Sequence, residues 1–286
     1  MDLVSVVIPA FNHEKYVVEA IEGIVNQSYP EIELLVIDDG SRDNTYNVLL
    51  GLTAKYKKRF KRFQVWTRKN KGTAATLNEL LSLAHGRYVF TQASDDVALP
   101  NAISSLVELL EKNPSAVLAV GDNQLINGES KRIYWKKGYV PTVNLEEADF
   151  ITFGDALGLN KESKVKFGDY LTLLNANHVP NGYLVRKLVY DEIGGYDASK
   201  GIEDWYMNLQ LAKRGSFIYS RDVLFSYRFH GSNTVSSGSY NNKFSMNLKA
   251  IYLGELPYVV RRGKLISWTK LFFKNYVLPY RLNRKK

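Results

Sequence analysis

Alternating strand and helix signals make this 286-residue chain an α/β protein, with a mostly parallel central sheet flanked by helices and a helical C-terminal tail. Three observations point there. Short apolar runs alternate with segments of helical spacing through the first 120 residues. Strand-like character returns around residues 215–229, and beyond Tyr240 the pattern is helical to the end. Strands separated by helices need crossover connections, which make neighbouring strands parallel.

Element by element, residues 5–8 form an apolar run ended by Pro9. Val17, Ala20, Ile21 and Ile24 then recur at helical spacing until Tyr29-Pro30 breaks the pattern. Residues 34–37 are a second buried-strand run, and Asp43-Asn44-Thr45 supplies caps for a helix through Leu52. Residues 63–66 read as a third strand. A helix over 74–84 follows, with Leu77, Leu80, Leu81 and Ala84 on one face. Residues 88–91 give a fourth strand, Pro100 marks a helix start, and residues 116–120 give a fifth strand. From Gly121 to Tyr170 the pattern weakens into loops and short elements expected to lie over one sheet edge. Two units are expected, the sheet domain over 1–239 and a basic, largely helical extension over 240–286.

The net charge of +9 is unevenly spread. From Lys243 to Lys286 there are 11 Lys/Arg against Glu255 alone, and the remainder holds 27 basic and 28 acidic residues. The body is therefore neutral, and with no zinc-finger spacing or aromatic-basic RNA motif it predicts no nucleic-acid partner. The absence of cysteine excludes disulfides and thiolate metal sites. The start, Met1-Asp2-Leu3-Val4-Ser5, lacks a basic n-region, and no stretch approaches the roughly 20 apolar residues of a membrane span. The expected location is the cytoplasm.

In open parallel sheets ligands bind beyond the carboxyl ends of the strands. Those ends carry Pro9-Ala10-Phe11-Asn12, Asp38-Asp39-Gly40-Ser41 and Ser94-Asp95-Asp96. The first turn has no glycine, which excludes a G-x-G-x-x-G fingerprint there, and no Walker motif occurs. A single Asp-Asp pair is equally what turn and cap chemistry selects. Two pairs at one edge repel unless a cation or a hydrogen-bonding ligand lies among them. Oxygen-only ligands suit Mg²⁺ or Mn²⁺ bridging to phosphate oxygens, so a nucleotide diphosphate bound through a divalent metal is expected.

Ser5-Val6-Val7-Ile8-Pro9-Ala10-Phe11-Asn12 and Val36-Ile37-Asp38-Asp39-Gly40-Ser41-Arg42-Asp43-Asn44-Thr45 resemble the first two strand motifs of family-2 glycosyltransferases of the GT-A fold. Asn70-Lys71-Gly72 with Leu77-Asn78, then Gly86-Arg87-Tyr88 through Asp95-Asp96, resemble that family's next donor-side segment and its metal-motif strand. Ile193-Gly194-Gly195-Tyr196-Asp197 and Glu203-Asp204-Trp205 are similar to its acceptor-side loop and acidic catalytic motif. The pieces follow the family's order from residue 3 to about 235.

The resemblance implies an inverting transferase that moves a sugar from a nucleotide diphosphate donor. UDP is expected ahead of GDP or dTDP. The acceptor would be a glycan or polyprenyl-linked saccharide in cell-surface polysaccharide assembly. It assigns Asp39 to the nucleotide base, with Pro9, Ala10, Asn12, Asn70 and Gly72 around the donor. Asp95 is assigned to the ribose or diphosphate, and Asp96 to a Mn²⁺ or Mg²⁺ ion. Many relatives carry a further acid two positions before Asp95, where this chain has Ala93, so the metal site is expected to be leaner. Asp204 is the expected general base, with Glu203 as its competitor, although acids also favour the first turn of a helix. His230, in Tyr227-Arg228-Phe229-His230-Gly231-Ser232-Asn233-Thr234, is a candidate second metal ligand. Asn181, Gly195, Tyr196 and Trp205 fall on the acceptor side; the two aromatics suit either a stacking wall or core packing.

In the tail, Leu265, Trp268, Leu271, Phe272 and Tyr276 share one helix side opposite Lys270 and Lys274, with Arg261-Arg262 before and Pro279, Arg281, Arg284, Lys285 and Lys286 after. This suits an anionic membrane surface, or else packing on the domain or on a second copy of the chain. Two other functions compete with transfer. A sugar-phosphate nucleotidyltransferase would open with a glycine- and basic-rich loop that residues 9–14 lack. A silent binding scaffold of the same fold would not need Asp39, Asp96 and Asp204 together.

Overall fold

The computed structural model describes residues 1–160, 166–231 and 242–277. Ser232, Asn233 and Thr234 and the basic end from Pro279 onward lie outside them. In chain order the strands and helices are β1 (Val4–Ala10), α1 (Val17–Val25), β2 (Ile32–Asp38), α2 (Thr45–Tyr56), β3 (Arg62–Thr67), α3 (Thr73–Leu83), β4 (Tyr88–Thr91), β5 (Val97–Ala98) and α4 (Ala102–Lys112). There follow β6 (Ala116–Asn127), β7 (Arg132–Lys136), β8 (Val140–Thr142), α5 (Phe153–Ala156), α6 (Tyr170–Asn175), β9 (Tyr183–Arg186) and α7 (Lys187–Ile193). The chain ends with α8 (Glu203–Ala212), β10 (Ser216–Phe229), α9 (Asn242–Arg261) and α10 (Leu265–Phe272).

The sheet runs β3-β2-β1-β4-β9-β6-β10-β5. Pairs β2–β3, β1–β2, β1–β4 and β6–β10 are parallel, as the alternating pattern requires. Both faces are covered, so β1 and β2 are apolar almost throughout. Val4, Val6 and Ile8 pack with Leu34 and Val36 on one face, and Val7 with Leu35 and Ile37 on the other.

Two elements depart from the sequence reading. Strand β9 is antiparallel to both β4 and β6 and sits in mid-sheet. Its four residues are too few to show a period. Strand β6, expected to end at Val120, continues through Asp122 and Asn123 to Asn127, because the 14-residue β10 pairs along it. Polar residues that look like a loop locally are held extended by that partner.

The tail is part of the main core. Leu248, Ile251, Tyr252, Val259 and Trp268 share a cluster with Trp205, Leu209 and Leu211. The buried Glu255 of α9 accepts from Tyr170 Oη at 2.6 Å and Gln210 Nε2 at 2.8 Å, and pairs with Lys213 at 2.8 Å. These bonds clip α9 to α6 and α8. Of the alternatives for Trp268, Leu271 and Phe272, a membrane surface or packing on the domain or a second copy, the structure shows packing on the domain. Trp268 Nε1 donates to Tyr252 O at 3.0 Å, and its ring stacks on Phe272. Leu265 alone of that stripe is exposed. No described helix is long and apolar enough to cross a membrane.

Candidate active site

At the nucleotide corner, Asp39 follows β2 and its N–H donates to Ala10 O at 2.7 Å. Its carboxylate accepts from Lys71 N at 2.9 Å and Gly72 N at 2.8 Å, and is ion-paired with Arg68. Gly72 takes φ +86°, a left-handed conformation that places its N–H there without a Cβ penalty. Pro9 and Ala10 end β1, in register with Ile37 and Asp38. Asn12, itself at φ +54°, binds the loop after β2 twice: Ser41 Oγ accepts from its N–H and its Oδ1 accepts from Arg42 N, both at 2.8 Å. Asn70 is exposed on the rim. All these donor-side residues except Asn70 are therefore joined by hydrogen bonds or strand register.

At the end of β4 two adjacent acids have opposite surroundings. Asp96 is 1% exposed, and its carboxylate accepts from Arg228 N at 2.8 Å and Asn181 Nδ2 at 3.2 Å. Burial, then the neighbouring Asp95 charge, holds its carboxyl well above the usual range. Asp95 turns the other way, to His230 Nε2 at 3.0 Å and His13 Nδ1 at 3.9 Å. His13, Asp95 and His230 each offer a ligand atom within 4.8 Å of the others. Burial lowers the His13 pKa, which favours the neutral, ligand-competent imidazole.

This donor set fits a divalent cation and differs from the expected pair, Asp96 and His230, in which acid it presents. Asp96, enclosed and hydrogen-bonded on both oxygens, is not presented as a ligand; Asp95 is. The nitrogen donor expected from His230 is in the set, and His13 adds a second. Arg228, fully buried, pins the corner by donating to Asp95 O, Asn127 O, Ser130 Oγ and Glu19. Tyr16 stacks on His230 at 4.9 Å between ring centroids, and the Arg228 guanidinium lies 4.9 Å from the Tyr16 ring.

The third group is the head of α8. Asp204 Oδ2 accepts from Asn177 Nδ2 at 2.9 Å, and burial raises its carboxyl above the usual range. Glu203 is raised too, by burial and then by Asp204. Tyr227, near the end of β10, connects the corners. Its hydroxyl pKa is pushed up first by burial and then by the charges of Asp96, Asp95 and Asp204, so all three carboxylates act electrostatically on one hydroxyl.

The expected acceptor-side residues serve the framework. Trp205 is buried and its Nε1 donates to Leu173 O at 2.6 Å; Tyr196 is buried against Tyr190. Neither is a stacking wall. Asn181 is committed to Asp96. Gly195 allows Asn78 to clasp the neighbouring backbone, accepting from Tyr196 N at 2.7 Å and donating to Tyr196 O at 2.9 Å. A Cβ at Gly195 would lie 2.4 Å from Asn78 Oδ1. The sequence reading missed His13 and Asn177. Only the fold brings His13 against β10 and Asn177 against α8.

The model of Glycosyl transferase family 2 matches residues 5–170. A glycosyltransferase, GlyG, of Streptococcus pneumoniae is 24% identical over 281 residues, 98% of this chain and 88% of that protein. Chondroitin synthase of Escherichia coli is 31% identical over 232 residues, 81% of this chain but 30% of the synthase. Among solved structures, TarS of S. aureus in complex with UDP-GlcNAc has a TM-score of 0.67 at 16% identity, over 96% of this chain and 73% of that one. Mannosyltransferase PcManGT of Pyrobaculum calidifontis, in complex with GDP-Man and Mn²⁺, has a TM-score of 0.65 at 14% identity, over 95% and 69%.

Proposed function

The chain belongs to glycosyl transferase family 2, and on that premise we propose that it transfers a sugar, with inversion, from a nucleotide diphosphate to a hydroxyl of a glycan or polyprenyl-linked acceptor in cell-surface polysaccharide assembly. The observation that supports this reading is the pairing of a buried acid at the head of α8, Asp204, held by Asn177, with the His13, Asp95 and His230 cluster at the ends of the strands. A displacement needs a base on one side of the anomeric carbon and charge stabilisation on the other.

Asp204 takes the proton as the acceptor oxygen bonds to the anomeric carbon and the bond to the diphosphate breaks. Burial lifts its carboxyl toward the working pH, where a carboxylate is a stronger base. Glu203 beside it discourages a second ionisation. Asp39 reads the base edge, since its Oδ2 accepts from Gly72 N and keeps one further acceptor position. Asp95 and His230 would hold a divalent ion, whose Lewis acidity supports the charge gathering on the departing diphosphate.

UDP is the favoured carrier, with GDP or dTDP as alternatives; solved fold neighbours are described with UDP-GlcNAc and with GDP-Man. A lipid-linked acceptor at the inner leaflet agrees with the outer side of the α9–α10 hairpin. There Met246, Leu253, Val260, Leu265 and Ile266 are exposed beside Arg261, Arg262 and Lys264, a basic and apolar surface suited to anionic lipid. That surface differs from the stripe the sequence suggested.

Thermal unfolding of the full chain against a panel of nucleotide sugars, with and without Mn²⁺, tests the donor assignment. One nucleotide class should stabilise the protein and release its nucleoside diphosphate. Absence of stabilisation and release across the panel would contradict transferase activity.

A further inference from the structure

We infer that His13 is a metal ligand, making a site of two imidazoles and one carboxylate, His13, His230 and Asp95, that prefers a first-row transition ion to Mg²⁺. The inference rests on the transferase reading only in placing that ion beside the diphosphate.

Three separate segments supply the donors: the loop after β1, the end of β4 and the end of β10. Their ligand atoms fall within 4.8 Å of one another. His230 Nε2 and Asp95 Oδ2 are 3.0 Å apart, about the spacing of adjacent ligands around an ion with bonds of about 2.0–2.2 Å. The acid that would complete an oxygen site is missing, since position 93 is alanine, and Asp96 is occupied by Arg228 N and Asn181.

His13 is held in place on both sides. Its N–H donates to Thr45 Oγ1 at 2.9 Å, and its carbonyl accepts from Tyr16 N and Val17 N at the opening of α1. Ser94 Oγ lies 2.8 Å from Nδ1 and fixes the ring beside Asp95. Two imidazole nitrogens favour Co²⁺ or Zn²⁺ and accept Mn²⁺ less strongly, whereas Mg²⁺ prefers oxygen ligands and keeps its water.

Metal titration of the full chain without nucleotide tests this, by calorimetry with Mn²⁺ and Mg²⁺ and by the ligand-field absorption of Co²⁺. The wild-type protein should bind Mn²⁺ and Co²⁺ at least about tenfold more tightly than Mg²⁺. His13→Ala should weaken Co²⁺ binding by about tenfold or more and change its absorption bands. His85→Ala, an exposed imidazole at the other end of β4, should change neither. Equal affinity for Mg²⁺, or an unaltered Co²⁺ spectrum and affinity in His13→Ala, would overturn the ligand set while transfer activity could stand. Conversely, normal Co²⁺ binding through His13 with no turnover of any nucleotide sugar would leave the ligands standing and remove the transferase reading. Thermal unfolding of each variant without metal separates loss of a ligand from loss of fold.

Discussion

Asp39 and Asp204 are both carboxylates at the same sheet edge, yet they are served very differently. Asp39 accepts from two backbone N–H groups and is ion-paired with Arg68, so its geometry is imposed from three directions. Asp204 has the helix start and a single side-chain donor, Asn177, and burial outweighs both in setting its proton affinity. A carboxylate surrounded by donors is a fixed acceptor that recognises; one short of donors and shielded from water is drawn toward a proton. On the proposed function, the contrast separates donor recognition from chemistry.

Three variants would break or sharpen that contrast. Asp204→Asn keeps the shape and removes the base, so transfer should fall by about 10²–10⁴-fold while donor affinity measured by calorimetry stays within about twofold. Lost donor binding there would merge the two roles. Asp39→Asn should do the reverse, weakening nucleotide affinity by about 1–3 kcal/mol with turnover at saturating donor little changed. A variant with intact affinity and collapsed turnover would reverse the assignment.

The smallest effect is the most diagnostic. Asn177→Ala removes a hydrogen bond that favours the charged form of Asp204, so the already raised carboxyl rises further. A base must be ionised to act, and activity is lost as pH falls through its pKa. The acidic limb of the rate profile should therefore move to higher pH, with the alkaline plateau largely kept. An unmoved limb would mean that Asp204 is not the titrating base, or that Asn177 serves only packing.

Much of this arrangement was legible locally. Asp39 and Asp95 were singled out because acids directly follow apolar strands, Asp204 because Glu203-Asp204-Trp205 resembles the family's acidic motif, and the parallel strands followed from their alternation with helices. Trp205 and Tyr196 were left between two readings, because an aromatic beside a motif looks the same whether it faces a sugar or the core, and the structure buries both. That Asp96 is enclosed while Asp95 turns to His230 and His13 was out of reach. Adjacent residues leaving a strand point to different sides, and the side facing the pocket depends on Arg228 N reaching Asp96 from β10.

Short-range pattern thus singled out most of the candidate residues, because periodicity and turn preference act over a few positions. Strand order and register decided how they combine. His13, Asp95 and His230 come from the first, fourth and last strands and meet only because β10 lies parallel to β6 and returns its end across the pocket. Likewise the tail's amphipathic pattern gave a greasy side but not its partner, since burial against α6 and α8 and burial in lipid satisfy the same apolar residues. The buried Glu255 and Trp268 show the domain taking that side, a choice made by contacts far apart in the chain.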